Sequence, residues 1–298
     1  MQLFGKPRPG RAATLIKRHT AFSRLWHWVN FACLIILLMS GLQIFNAHPA
    51  LYWGKDSHFD SPALSIGAER DANGAWQGIT RIGGYRFDTT GVLGISGPPD
   101  DLERRAFPAW ATLPDSRWLS KGRQWHFLAG WIFAPMLTAY LAYLVISGQL
   151  KRRLLPRRDE WRHLGETIRD HVRLRFPRGE EARHYNLLQK LTYLLVLLGL
   201  LPLVVLTGLT MSPTMDAAWP WLLDAFGGRQ SARTLHFICA VGLLAFFLVH
   251  LALVLVSGVF NNLRSMITGR YALYPELPNA PSSALPPQQE PRDDSTNR

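Results

Sequence analysis

This chain is nearly without cysteine and is short of acidic residues relative to basic ones. Two cysteines, Cys33 and Cys239, stand among 298 residues, and neither belongs to a CxxC pair or a CxxCH run. Those counts exclude a disulfide framework, a cysteine-based zinc site and thioether attachment of a haem. Both cysteines fall inside apolar runs and read as small buried residues. Asp and Glu total 21 against 33 Lys and Arg, a formal charge of +12. Spread over a soluble fold, that imbalance would point to nucleic acid. Most of the basic residues instead flank apolar runs, so topology and anionic lipid head groups account for them, and nucleic acid is not an expected partner. The N-terminal stretch also has no short apolar core ending in a small-residue cleavage site. With Lys6, Arg8, Arg11, Lys17 and Arg18, residues 1–25 read as a cytoplasmic lead-in and not as a removable signal peptide.

What the sequence has in quantity is long apolar stretches. Four blocks, 26–45, 125–146, 187–211 and 235–260, are almost free of charge. Each has about 20 residues or more, enough to cross a hydrocarbon core of about 30 Å at about 1.5 Å per residue. A helix in the core of a soluble protein would be shorter and would carry a polar face. Pro135 and Pro202 interrupt the second and third blocks, which membrane helices tolerate when neighbours satisfy the freed carbonyls. The fold expected is an all-α membrane protein, a four-transmembrane-helix bundle over 26–260 with a long periplasmic loop.

Orientation follows from the basic residues. The 149–186 segment carries Lys151, Arg152, Arg153, Arg157, Arg158, Arg162, Arg169, Arg173, Arg175, Arg178 and Arg183. The 47–121 segment is about twice as long with nearly balanced charge. The positive-inside rule therefore puts both termini and 149–186 in the cytoplasm and the 47–121 insert in the periplasm, in a bacterial inner membrane. Within the insert, WQGITRIGGYRFDTTG reads as two strands about a Gly-Gly turn. It could serve as a docking surface for a periplasmic partner or as a self-packed cap. The stretch from Asp159 to Phe176 has the pattern of a basic amphipathic helix on the membrane surface. The Pro/Ser/Gln-rich tail, 275–298, reads as disordered.

Of ten histidines, four fall in the blocks or at their edges: His27, His126, His236 and His250. Ionisable side chains in membrane spans are functional candidates by default. His236 and His250 share one helix fourteen residues apart, which puts them on nearly the same side and about 21 Å apart. His27 opens the first block at its cytoplasmic end, and His126 opens the second at its periplasmic end. Two layers result, His27 with His250 and His126 with His236. Such bis-imidazole pairs suit the axial ligation of two stacked, non-covalent haems, with no open position on the iron for substrate. His48 and His58 compete with His126 as ligands. His19, His163, His171 and His184 read as solvated.

Arg24, Arg123 and Arg233 each precede a layer histidine by three residues and share its helix face. They could pair with haem propionates or simply snorkel at helix ends. Gly41 and Gly208 would let a porphyrin approach the backbone, or would let helices pack closely.

Together these residues resemble the bacterial dihaem b-type cytochromes that form membrane subunits of nickel-iron hydrogenases, formate dehydrogenases and thiosulfate reductases. The matching positions are Arg24-Leu-Trp-His27-Trp-Val-Asn, Ser40-Gly-Leu, Gln124-Trp-His126, Thr207-Gly-Leu, and His236 with His250. The resemblance implies that His126 and His236 hold an outer haem b and His27 and His250 an inner one. It implies electron transfer between quinone and a periplasmic redox subunit in a respiratory chain, by an electron-transfer subunit and not a catalytic one. The long insert looks like the thiosulfate-reductase branch, whose subunits often pair with a periplasmic molybdopterin oxidoreductase. Two other readings stay open. One is a stand-alone cytochrome enzyme that passes electrons from a small reductant such as superoxide to quinone; the other is a haem-free anchor or transporter.

Overall fold

The computed structural model describes residues 14–98, 100–163, 165, 169 and 187–273. The tail at 275–298 lies outside the described residues. So does most of the expected surface helix at 159–176, of which a 3₁₀ turn, Glu160–His163, is described.

Four helices are long and apolar enough to cross a membrane. They are α1 (Ala21–Phe45), α2 (Leu119–Ile146), α3 (Leu187–Thr210) and, after two short helices α4 (Pro213–Ala218) and α5 (Pro220–Ala225), α6 (Arg229–Val256). Helices α1, α2 and α6 begin five or six residues earlier than hydropathy indicates. Their first turns are polar, and apolar content does not register them. Thr20 caps α1 by accepting the Ser23 backbone N–H at 3.2 Å, which satisfies one of the amide donors a helix start leaves unpaired. The fourth span ends sooner than expected. Gly258, at φ +109°, turns the chain into a separate amphipathic helix, α7 (Val259–Thr268).

Pro202 is accommodated inside α3. The turn before it, Leu195–Leu200, is π-helical, and the Leu201 N–H reaches back to the Val196 carbonyl. A wider turn relieves the clash between a proline ring and the carbonyl four residues earlier.

Helix α1 packs along α2, and α3 packs along α6. The shared core includes Trp26, Cys33, Phe133, Leu137, Val196, Leu201 and Leu243, with Trp26 stacked on Tyr140 at 3.9 Å. Between the pairs, α1 meets α6 through rings, Phe31 with Phe247 at 6.0 Å and Phe45 with Phe237 at 4.8 Å. Leu128, Trp131, Leu248 and Val249 are exposed on the outer faces, as apolar residues facing lipid would be.

The insert folds as a four-stranded antiparallel sheet in the order β2-β3-β4-β5 (Ala50–Leu51, Leu64–Arg70, Trp76–Ile82, Tyr85–Asp88). The expected hairpin is β4–β5, turned at Gly83 and Gly84. Strand β3 was not expected, because Gly67 and Ala68 break its alternation. The segment 93–95 crosses the sheet so closely that a Cβ on Gly78 would lie 2.1 Å from the Leu93 carbonyl oxygen. The insert's small core joins Leu51, Ile66 and Ala106 to Phe45 of α1, with Phe237 of α6 packed against it. It therefore sits as a cap on one end of the bundle.

Hydrogen bonds stitch that cap in place. Arg105, its side chain 3% exposed, donates to Gln43 Oε1 and Thr112 Oγ1, both at 2.9 Å, and to the Asp115 carbonyl at 2.7 Å. The first amides of α6, from Gln230 and Ser231, donate to the Gly54 carbonyl at 3.1 Å. At the other end of the bundle, β1 (Thr14–Lys17) pairs with β6 (Arg270–Leu273). There Trp28 and Arg24 of α1 donate to the Met266 and Ile267 carbonyls at the end of α7. The two ends are called here the cap end and the strand end.

Candidate functional site

The structure brings together both expected histidine pairs. His126 near the start of α2 faces His236 near the start of α6 at the cap end, with ring centroids 6.2 Å apart and planes at 62°. His27 near the start of α1 faces His250 near the end of α6 at the strand end, 6.5 Å apart with planes at 56°. His58 is exposed, and His48 lies against Tyr52 and Phe59 in the cap, so neither displaces His126 from its pairing. Burial, and then the charge of Arg233, holds the His48 imidazole below the ordinary histidine range.

The spacing tests whether a haem would fit. A metal bonded at about 2.0 Å to one nitrogen of each ring, with about 1.1 Å from nitrogen to ring centre, separates the centroids by about 6.2 Å. Both pairs meet that condition. Among the described residues, no three His, Cys, Asp or Glu side chains converge as a metal site. A bare ion would be left with two protein ligands. A porphyrin brings four nitrogens of its own and needs only the axial two.

The cap-end pair is also fixed in tautomer. Ser40 Oγ donates to the Ile36 carbonyl at 2.6 Å, so at its 3.1 Å contact with His126 Nδ1 it must accept. Thr207 repeats the arrangement on α3. It donates to the Leu203 carbonyl at 2.7 Å and meets His236 Nδ1 at 3.1 Å. The backbone of Leu37 also hydrogen-bonds the His126 ring, and that of Val204 the His236 ring. With the hydroxyl hydrogens on those carbonyls, each ring would hold its own hydrogen on Nδ1, the tautomer in which Nε2 can bind a metal. At the strand end, His27 Nδ1 is buried without a partner, as is Asn30 Oδ1 one turn along.

Gly41 and Gly208 lie against the imidazoles of the helices beside them. A Cβ on Gly41 would lie 3.4 Å from His126 Cε1, and one on Gly208 3.2 Å from His236 Cε1. They make room for the imidazole of the neighbouring helix. Sequence reasoning noticed the Ser-Gly-Leu and Thr-Gly-Leu repeats but weighed only the glycine. The hydroxyl before it was the signal it missed.

The arginines find protein partners. Arg24 donates to the Ile267 carbonyl. Arg233 donates to the Ala50 carbonyl at 2.9 Å and to the His48 carbonyl, clamping the cap to α6. Arg123 is exposed, with its guanidinium 5.7 Å from the centre of the Phe127 ring.

Comparison with known proteins agrees with this geometry. A curated relative from Azospira oryzae, which carries the provisional name protein-methionine-sulfoxide reductase subunit YedZ1, is 25% identical over 251 residues, covering 84% of this chain and 96% of its own length. No solved structure matches the sequence. The family model for prokaryotic cytochrome b561 matches residues 18–269, spanning all four membrane helices and both histidine pairs, and the chain belongs to that family.

Proposed function

We propose that this chain carries two non-covalent haems b in series and passes electrons across the bilayer, between quinone at the strand end and a periplasmic oxidoreductase at the cap end. The observation that carries this reading is the pair of imidazole couples at separate depths, 6.2 and 6.5 Å between ring centroids. Each bound haem supplies one-electron carriage. The chain's own residues do the rest. His126 and His236 at one depth, and His27 and His250 at the other, would hold the two haems, and a metal held by two imidazoles would supply electron transfer with no protein-free position for substrate. The aromatic pairs Phe31–Phe247 and Phe45–Phe237 keep water from the space between α1 and α6.

Orientation rests on charge. The strand end bears Lys17, Arg18, Arg24, Lys151, Arg152, Arg157, Arg158, Arg264 and Arg270, which favours the cytoplasmic side. The cap then faces the periplasm, where an oxidoreductase subunit would dock. The name of the Azospira relative makes a reductase of oxidised protein methionine the first partner to try, with the molybdopterin enzymes of the resembling family as its class. Such a partner draws electrons outward from quinol.

The test is haem quantification with a reduced-minus-oxidised spectrum on the purified chain. Two haems b per chain and an α-band are expected, together with reduction by a quinol in proteoliposomes. A missing α-band, or a single haem, would sink the proposal.

The glycine contacts add a graded test. At 3.2 Å a methyl on Gly208 forces the His236 ring to yield, whereas 3.4 Å at Gly41 is ordinary contact. Overpacking of this kind costs about 1–3 kcal/mol. Gly208→Ala should lower cap-end haem retention on purification, measured as the ratio of Soret absorbance to protein, while Gly41→Ala stays near wild type.

A further inference from the structure

Three elements recur at the cap-end pair, in the same order on two different helices. On α1 they are the backbone of Leu37, the hydroxyl of Ser40 and the bare backbone of Gly41, gathered around His126 of α2. On α3 they are Val204, Thr207 and Gly208, gathered around His236 of α6. In both, a hydroxyl meets ring Nδ1 at 3.1 Å, a backbone group of the same helix meets the ring, and a glycine admits the ring edge. Ser40 and Thr207 are each 0% exposed, so neither hydroxyl has water to fall back on. Among the described residues the strand-end pair has no such cradle, and His27 Nδ1 is buried without a partner.

We propose that Ser40 and Thr207 are a matched pair of positioning residues that set the orientation and basicity of the two cap-end ligands. The inference rests on the haem-ligand reading above and deepens it. A hydrogen bond accepted from Nδ1–H makes the opposite nitrogen a stronger donor to metal, which favours the oxidised iron. It also stops the ring from rotating about its Cβ bond, so the haem meets two ligands already aimed. With closely similar cradles on both faces, the two cap-end imidazoles would bind the haem alike, whereas His27 at the strand end has no Nδ1 partner among the described residues. The two haems should therefore differ in potential by a mechanism that can be removed one hydroxyl at a time.

The test uses the full-length chain in detergent with Ser40→Ala, Thr207→Ala, Ser40→Thr and Thr207→Ser. The readouts are haem-to-protein ratio, a potentiometric titration and the low-spin signals in electron paramagnetic resonance. Each alanine variant is expected to weaken cap-end haem binding by about tenfold or more, to raise the midpoint potential of the cap-end haem and to move its low-spin signal. The strand-end haem stays as in wild type, and the conservative exchanges keep wild-type values. Should an alanine variant fail to accumulate, Ser40→Cys and Thr207→Cys carry the test, because a thiol is a poor acceptor of similar size. Alanine or cysteine variants whose cap-end potential and signal match wild type would overturn the proposal. So would equal shifts in both haems. If His126→Ala and His236→Ala also retain both haems, the ligand reading itself fails. If they lose the cap-end haem while the hydroxyl variants are silent, only the positioning role fails.

Discussion

His236→Ala is expected to remove the cap-end haem and leave the strand-end haem spectroscopically intact, and His250→Ala to do the reverse. On the proposed reading each histidine would supply one of the two protein ligands of its haem, and alanine offers no donor in its place. Among the described residues, no further His, Cys, Asp or Glu converges on either pair. The two layers are about 21 Å apart along α6, beyond the distance at which substitutions usually couple. The measurement is haem stoichiometry by the pyridine haemochrome, paired with size-exclusion behaviour to confirm that the bundle persists. A monodisperse variant that has lost both haems, or neither, would show that the layers were paired wrongly.

The second large effect is expected at Arg105. Its guanidinium is buried, and it satisfies Gln43 of α1, Thr112 and the Asp115 carbonyl together. Gln43 in turn donates to the Ser116 carbonyl at 2.9 Å. Arg105→Met preserves much of the volume but leaves those acceptors without donors in a site water does not reach. Hydrogen bonds to a charged group contribute about 1.5–3 kcal/mol each, and a buried group left unpaired costs a similar amount. The expected loss is about 3 kcal/mol or more, confined to the cap. Limited proteolysis should cut the variant within 52–118 at least tenfold faster than wild type, while the four spans stay protected and both haems stay bound. Uniform susceptibility of cap and spans would show that Arg105 supports the whole fold and not this lock.

The four spans were legible because uncharged length is all a bilayer asks of a helix, and that quantity is additive along the chain. The histidine layers were legible for a related reason: helical rise converts sequence separation into depth. What failed to show was whatever depends on partners distant in sequence. Strand β1 finds β6 across more than 250 residues, and nothing in Thr14–Lys17 names its mate. Arg24 and Arg233 were read against a ligand, yet their nearest acceptors are carbonyls of α7 and of the cap, which no spacing rule reveals. Ser40 and Thr207 were visible as letters. Their meaning came only when α2 and α6 swung an imidazole over each, since a hydroxyl's role depends on which of its two bonds is already spent.

The wide turn in α3 has a consequence for the cradle it precedes. A π-turn absorbs one residue beyond the ordinary count, so the stretch after it is indexed about 100° away from where an uninterrupted helix would have put it. Leu187–Leu194 and Leu201–Thr210 can thus satisfy separate demands, the first meeting Glu160 through Lys190 and the second presenting Thr207 and Gly208 to His236. A regular α-helix through all of Leu187–Thr210 would be equally greasy and would span as well. Yet it would rotate the hydroxyl off its imidazole, so the phase of α3 is stored in the single surplus residue of that turn.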